Sequence, residues 1–374
     1  MVRVSLREPP SEVSAYRSAM SGLLDGVRVL DLGIWRPAPY ATQLLAEMGA
    51  DVVKVEPPAG DPMRSLPAMF ASLNAGKRAL ALDLRSDEGR AKALELAACA
   101  DAVVEGYRPG VAARLGVDEA AVRAVNRSVV YCSISGYGQD GPLASVPGHD
   151  IDYQAWAGVL EPRDGTPVVP RPPLADLAGG AYAAMAICAA LLRRAATGEG
   201  EQIDVAMADV LATWTGAVRS YPVAGTGVAL TADLPGYGTF ATSDGGWIAL
   251  GVLSEDHFWS ALCHALGLDA EAPRTLPERI ADQGRLGLLV RERIAMRPRD
   301  ELVADLALAG VPVAPILSQD EVLAAEHFRQ RGLVTDGPDG QAKMGHPVRY
   351  RLHPATALAH VPELIDGLAV QPWA

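Results

Sequence analysis

The sequence predicts an α/β fold: a large domain built on a parallel, doubly wound sheet, followed by a smaller α/β domain. Three observations carry this. Apolar strand-length runs alternate with amphipathic helical stretches over the first part of the chain, a long Ala-rich segment follows, and a Gly-rich stretch near 224–238 precedes a hairpin signal. With 374 residues the chain is long enough for two or three domains.

In chain order, GVRVLDLG (26–33) reads as a buried strand, PYATQLLAEMGA as a helix and DVVKVEP as the next strand, which makes a βαβ unit. RALALDL repeats the strand, SDEGRAKALELAACA the helix with Ser86 as N-cap, and DAVVEGY the strand. DEAAVRAVN is a third helix leading into the strand SVVYCSIS. Ligands of such sheets bind beyond the carboxyl ends of the strands. GYGQDG (136–141) matches GxGxxG, but Pro142 and a loop follow where a dinucleotide fingerprint turns into a helix, so no nicotinamide or flavin site is expected.

From 174 a long Ala-rich helix runs to Gly198, its expected C-cap; Gly179 and Gly180 inside it imply close approach by another backbone or a ligand. GEQIDVAM and ADVLATWTGAVRSY add a strand and a helix. TFATSDGGWIALG is a hairpin around Ser-Asp-Gly-Gly, with helices at EDHFWSALCHALG, ERIADQGRLGLLVRERIAM and RDELVADLALAG before VPVAPIL. The expected divisions are an N-terminal extension (1–22), the large domain (23–223), a linker with the small domain (224–325) and a C-terminal segment (326–374) that returns to the large domain.

A net charge of −12 argues against a nucleic-acid or anionic-membrane partner, and no uninterrupted apolar run is expected to reach the roughly 18 residues of a membrane span. The first 20 residues lack the apolar core of a signal peptide, so a cytoplasmic location is expected. Cys99, Cys132, Cys188 and Cys263 lie far apart in apolar segments without a CxxC, which points to buried thiols and neither disulfides nor a metal site. Basic residues nevertheless gather in the first third, at Lys54, Arg64, Lys77, Arg78, Arg85, Arg90, Arg108 and Arg114. They suit either a local anion site or ordinary solvated charge.

Three residues stand out for chemistry, and each also has a plain structural use. His149, between a Gly-Pro-rich lead-in and two acids, suits a loop histidine as well as a proton carrier. Asp176 opens a long apolar helix, where an acid answers free backbone N–H groups. Glu255 follows Ser254 at an ordinary helix entrance.

What joins them is a resemblance. LLDGVRVLDLG, ADVVKVEPPAGDP, GKRALALDLRSDEG, EGYRPGVAARLGV, SGYGQDGP, GHDIDY, ADLAGG, GEGEQIDVAM and VPVAPILSQDEVLAAEHFRQRG, in this order from about residue 23 onward, resemble the family III CoA-transferase and α-methylacyl-CoA racemase superfamily. Gly148-His149-Asp150-Ile151-Asp152-Tyr153 is similar to the racemase branch, as is the spacing of Glu255 before Phe258. The resemblance implies a Rossmann-like large domain and an interlocked homodimer, an acyl-CoA substrate, and no cofactor or metal beyond the CoA of the thioester. It implies catalytic roles for His149 and Asp176 as the two proton-transfer groups, with Glu255 orienting His149. The expected reaction is inversion of the α-methyl centre of a 2-methylacyl-CoA through an enolate, with the backbone N–H of Asp150 meeting the thioester oxygen. The alternative is CoA transfer with Asp176 as nucleophile and an aspartyl-CoA intermediate. CoA is expected along Leu82, Asp83, Leu84, Arg85, Gly106, Tyr107, Arg108 and Arg114, and the acyl end near Gly148, Asp150 and Tyr153. Where the resemblance implies an arginine after the second strand this chain has Pro57, so either Lys54 or Arg64 replaces it or the CoA sits differently.

Overall fold

The computed structural model describes residues 22–162, 165–217, 234–336, 342–355, 358, 360–371 and 373. The chain divides into two compact units, one running to Ala217 and resuming at Gln330, the other spanning 218–329. The extension, apart from Gly22, and most of the Gly-rich stretch near 224–238 lie outside the described residues.

In the first unit the strands are β1 (Arg28–Asp31), β2 (Asp51–Glu56), β3 (Arg78–Ala81), β4 (Ala102–Glu105), β5 (Val130–Ser135) and β6 (Glu201–Ala206). Between them lie α1 (Pro37–Glu47), α2 (Pro67–Asn74), α3 (Asp87–Cys99), α4 (Val111–Leu115), α5 (Glu119–Val125), α6 (Asp150–Trp156) and α7 (Leu174–Thr197), and α8 (Met207–Ala217) follows β6. With β12 (Leu364–Asp366) they form a seven-stranded sheet in the order β12-β3-β2-β1-β4-β5-β6, every pairing parallel. The order reverses between β1 and β4, and a crevice opens at their carboxyl ends, as in other doubly wound sheets. Strands buried on both faces explain the unbroken apolar runs: β4 and β5 are buried throughout. One face packs on α1 and α7 through Ala41, Leu45, Ala183 and Ile187, the other on α3 and α5 through Leu96, Ala97 and Val122.

Ser86 caps α3, its hydroxyl accepting the Gly89 N–H, and Gly198 ends α7 in the left-handed region. Gly180 meets a backbone: a β-carbon there would lie 2.7 Å from the Pro37 carbonyl, so α7 and α1 touch where no larger residue fits. α2, preceded by a short 3-10 turn at 62–65, was not expected from sequence.

Two expectations need correction. Helix α7 is long and apolar enough to cross a membrane by length and composition, because the stretch from Leu177 to Leu192 carries no charge. Here it is a core helix whose small residues lie against α1. Cys99, at the last turn of α3, is exposed, while Cys132 and Cys263 are buried and Cys188 is half-buried.

The second unit holds the hairpin β7 (Tyr237–Ala241) and β8 (Trp247–Gly251), with β9 (Val313–Pro315) antiparallel to β8. Around it lie α9 (Asp256–Ala265), α10 (Leu276–Ala281), α11 (Gln283–Ile294), α12 (Arg299–Leu308), α13 (Gln319–Ala324) and α14 (Glu326–Gln330). Trp259, Leu262, Val290 and Leu302 make its separate core. β10 (Val334–Asp336) and β11 (Ala342–Met344) form a small hairpin where the chain returns to the first unit.

Candidate active site

A cleft of about 930 Å³ lies at the reversal of strand order. Its walls are the loop after β1 (Ile34 to Pro37), the loop after β4 (Gly106 to Pro109, with Val111), the end of β5 with Ser135 to Tyr137, and the turn from Ala144 to His149. His149 and Asp176 both line it, as do Gly106, Tyr107, Arg108, Gly148 and Tyr153. Two residues apart by 27 positions thus share one cavity, because α6 and α7 both start beside it.

The local folding is set by two acids. Asp152 accepts the backbone N–H of His149 at 2.9 Å, and the His149 carbonyl takes the Asp152 N–H at 2.8 Å, which closes the first turn of α6. Asp150 points the other way: Oδ1 accepts the N–H groups of Ala175 (2.7 Å) and Asp176 (3.2 Å), and Oδ2 accepts from Gln154. Since the residue before α7 is Pro173, which has no capping side chain, Asp150 does the capping from outside the helix. Its carboxylate is therefore not part of the cleft wall; its backbone N–H, the first of α6, has no acceptor among the described residues. Sequence reading missed this cap because it joins residues 25 apart.

Tyr153 fills the slot between two glycines. A β-carbon on Gly136 would sit 2.2 Å from its ring, one on Gly148 2.8 Å from it, and its hydroxyl donates to the Gly148 carbonyl at 2.5 Å. Burial, then the charge of Asp176, pushes the phenol up to about 12. Tyr153 and Gly148 thus hold the His149 turn in place.

Asp176 is the perturbed acid of the site. Burial, and then the Asp150 charge, pushes its carboxyl up to about 6, against the opposing pull of Arg36 and His149. Arg36, which the sequence reading passed over, places its Nε 3.8 Å from Asp176 Oδ2. It stands in the loop after β1, where Trp35 has φ of +64°, a left-handed conformation that costs a bulky residue of the order of 1–3 kcal/mol. A buried network pins that loop. Lys54 Nζ donates to the Gly33 carbonyl at 2.5 Å and pairs with Asp61, and the Gly33 N–H goes to Asp31. Lys77 Nζ reaches Asp31, Pro39 carbonyl, Thr42 and Asn74 at 2.8–3.0 Å.

This overturns the idea that Lys54 or Arg64 replaces the missing arginine at Pro57. Lys54 is wholly buried, and Arg64 is spent on a two-point pair with the buried Glu56 and on the Phe70 ring. Of the other basic residues in the first third, Lys77 is buried, Arg78 pairs with Asp51 and Arg90 with Asp87. Arg85, Arg108 and Arg114 are exposed, and among the described residues their side chains make no ion pair. Only Arg108 of these lines the cleft. Leu82 and Leu84 are core side chains, and the Leu82 N–H is used by the Glu56 carbonyl. Leu82 and Asp83 border a separate depression of about 400 Å³ with Ser86 and Asp366. Under the loop after β4, Glu105 accepts the Tyr107 N–H at 2.7 Å, and burial pushes its carboxyl up to about 7.

Glu255 belongs to the second unit, exposed at the start of α9. Arg279, buried against Trp259, donates to the Ser254 carbonyl and to the Asp256 carboxylate, the residues on either side of Glu255. Among the described residues no cluster of His, Cys, Asp and Glu is arranged to hold a metal ion.

The profile of CoA-transferase family III matches residues 24–365. The chain is 32% identical over 341 residues to a succinate–glutarate CoA-transferase of Agrobacterium fabrum, with 84% of each chain covered. It is also 32% identical over 329 residues to the α-methylacyl-CoA racemase of Mus musculus, covering 84% of this chain and 83% of the other. The crystal structure of a CaiB/BaiF family protein from Brucella suis superposes with a TM-score of 0.80 at 31% identity, over 92% of this chain and 97% of that one. The profile, the relatives and the sheet order agree, and the chain belongs to the family III CoA-transferases.

Proposed function

We propose that this enzyme is an acyl-CoA racemase or epimerase that inverts the α-methyl centre of a 2-methylacyl-CoA by 1,1-proton transfer. The observation that carries the reading is that His149 and Asp176 open into one cleft, with the Asp176 carboxyl pushed up to about 6. A carboxyl raised toward neutrality holds its proton more readily, so it can give a proton as well as take one. In one direction neutral His149 takes the α-proton, the C–H electron pair moves into the enolate, and protonated Asp176 delivers its proton to the opposite face. The reverse direction exchanges the roles. The free N–H of Asp150 is the donor for the enolate oxygen, and Arg108 the cleft residue for the CoA phosphates, with Arg85 and Arg114 beyond it. Glu255 enters this reading as the residue that orients His149, delivered by the second unit of a partner in a homodimer.

A second reading, CoA transfer through an aspartyl-CoA anhydride, is favoured by Arg36. A guanidinium beside Asp176 favours the ionised carboxylate that attacks a thioester carbonyl, and the Agrobacterium relative is named as a transferase. Incubating a single-epimer 2-methylacyl-CoA in deuterium oxide without an acceptor acid tests the choice. Deuterium at the α-carbon with loss of stereochemical purity is expected. Transfer to a carboxylate acceptor without α-exchange, with a hydroxylamine-sensitive adduct on Asp176, would replace the first reading by the second.

A further inference from the structure

Toward the carboxyl end of the sheet three polar residues stand in register across three strands: Glu105 on β4, Ser133 on β5 and Asp204 on β6. Glu105 is 2% exposed and makes no ion pair among the described residues; the charge that bears on it, that of Asp204, is of its own sign. Burial pushes its carboxyl up to about 7, against the bonds from Ser133 and the Tyr107 N–H. On β1, Asp31 is already paired with Lys77. Burial also raises the Tyr107, Tyr131 and Cys132 side chains, so none of these three gains charge between about pH 6 and 8. What Glu105 holds is the cleft wall. Its Oε2 accepts the Tyr107 N–H at 2.7 Å, one residue before Arg108. The turn lies tight against α1, since a β-carbon on Gly106 would sit 3.3 Å from that of Ala38. Arg108 has no ion pair of its own among the described residues, so its place in the cleft depends on the backbone that leads to it.

Resting on the reading that the CoA phosphates meet this turn, we propose that Glu105 is a positioning residue whose ionised carboxylate holds the 106–108 turn in the form that binds CoA. A backbone N–H bonded to a carboxylate is held about twice as strongly as one bonded to a neutral acceptor. As pH falls through the neutral range Glu105 takes up a proton, and the turn keeps only a neutral acceptor. The grip on CoA is therefore firm on the alkaline side of neutrality and slackens on the acid side, without Glu105 touching the ligand.

Titration calorimetry with coenzyme A at about pH 6 and about pH 8 tests this on the wild-type protein, Glu105→Gln and Arg108→Gln. Glutamine keeps the shape and an acceptor oxygen but carries no charge at either pH. At about pH 8, Glu105→Gln is expected to bind about fivefold more weakly than the wild type, and at about pH 6 the two should agree within about twofold. Its melting temperature at the higher pH should not fall, because a buried charge has been removed. Groups that titrate on CoA or elsewhere in the cleft are common to both proteins and cancel in the comparison. A merely structural role would weaken binding by the same factor at both pH values; that result, or equal affinities at about pH 8, would overturn the proposal. Arg108→Gln reads the underlying contact separately. If it keeps full affinity, the Arg108 phosphate contact fails, while a pH-dependent gap in Glu105→Gln still establishes Glu105 as the residue that holds the turn.

Discussion

The carboxylate of Asp150 accepts the backbone N–H of Asp176 at 3.2 Å, so one acid at the start of α6 caps the helix that carries the other. The contact couples position to charge: the same oxygen that fixes Asp176 also raises its affinity for a proton. Asp150→Asn keeps an acceptor oxygen and removes the charge. The Asp176 carboxyl should then titrate below its value of about 6, and the limb of kcat/KM that it sets, the alkaline one where Asp176 gives the proton and the acid one where it takes it, should move to lower pH. Asp150→Ala loses the cap as well, at a cost of about 1–2 kcal/mol. A pH–rate profile that does not move in Asp150→Asn would show that the coupling is absent.

Asp176→Asn separates activity from stability. The folded protein binds the Asp176 proton up to about pH 6, whereas an unfolded chain releases it near 3.8. Between those values the folded state holds more protons, so stability falls as pH rises and the penalty is complete above the upper value. Removing the charge should stabilise the protein at pH 7.5 by about 1–3 kcal/mol, and the gain should vanish below about pH 4. Activity should fall by about 100-fold or more. Denaturant midpoints of both proteins at the two pH values give the answer.

Arg108→Gln and Arg64→Gln should fail in different ways. The first removes an exposed cleft cation, and CoA-thioester affinity should drop about tenfold at unchanged melting temperature. The second leaves Glu56 buried without its partner, so the melting temperature should fall while affinity for the thioester is kept. Calorimetry and a thermal scan on each variant distinguish them; a loss of affinity in Arg64→Gln alone would return that residue to the CoA site.

Gly180→Ala drives a methyl to 2.7 Å from the Pro37 carbonyl and 2.9 Å from the Tyr40 ring. Separating α7 from α1 should cost about 1–3 kcal/mol and displace the Arg36 loop, which adjoins Pro37. A thermal shift of several degrees is expected, whereas Gly198→Asn, at a helix end where an asparagine tolerates positive φ, should lose much less.

Much of the first unit is legible in the sequence because its signals are local. The βα alternation, the Ser86 cap and the Gly198 stop each need only a few neighbouring residues. That a loop and not a helix follows GYGQDG is local too, since no helix begins until Asp150. What is illegible joins distant positions. Lys54 and Lys77 look like solvated charges until the fold shows Asp61 and Asp31 beside them, and Leu82 and Leu84, which the resemblance puts near the CoA, have side chains buried in the core. Arg36 gave no periodic or spacing signal; its meaning comes from Asp176, 140 residues on. The roles proposed for His149 and Asp176 rest on resemblance: His149 stands out between glycine, proline and two acids, but nothing local shows that it meets Asp176.

The sheet is finished by a strand that the ribosome delivers late. β12 pairs with β3 across more than 280 residues, Leu364 facing Ala79, and the whole second unit is synthesised in between. Until then the outer edge of β3 presents unpaired backbone groups, a template for any extended chain nearby. Contacts at such separation form slowly, so the nascent first unit must wait with one flank unsealed. Chaperone demand should therefore fall sharply once residues 364–366 pair with β3, and the smaller unit has time to fold first.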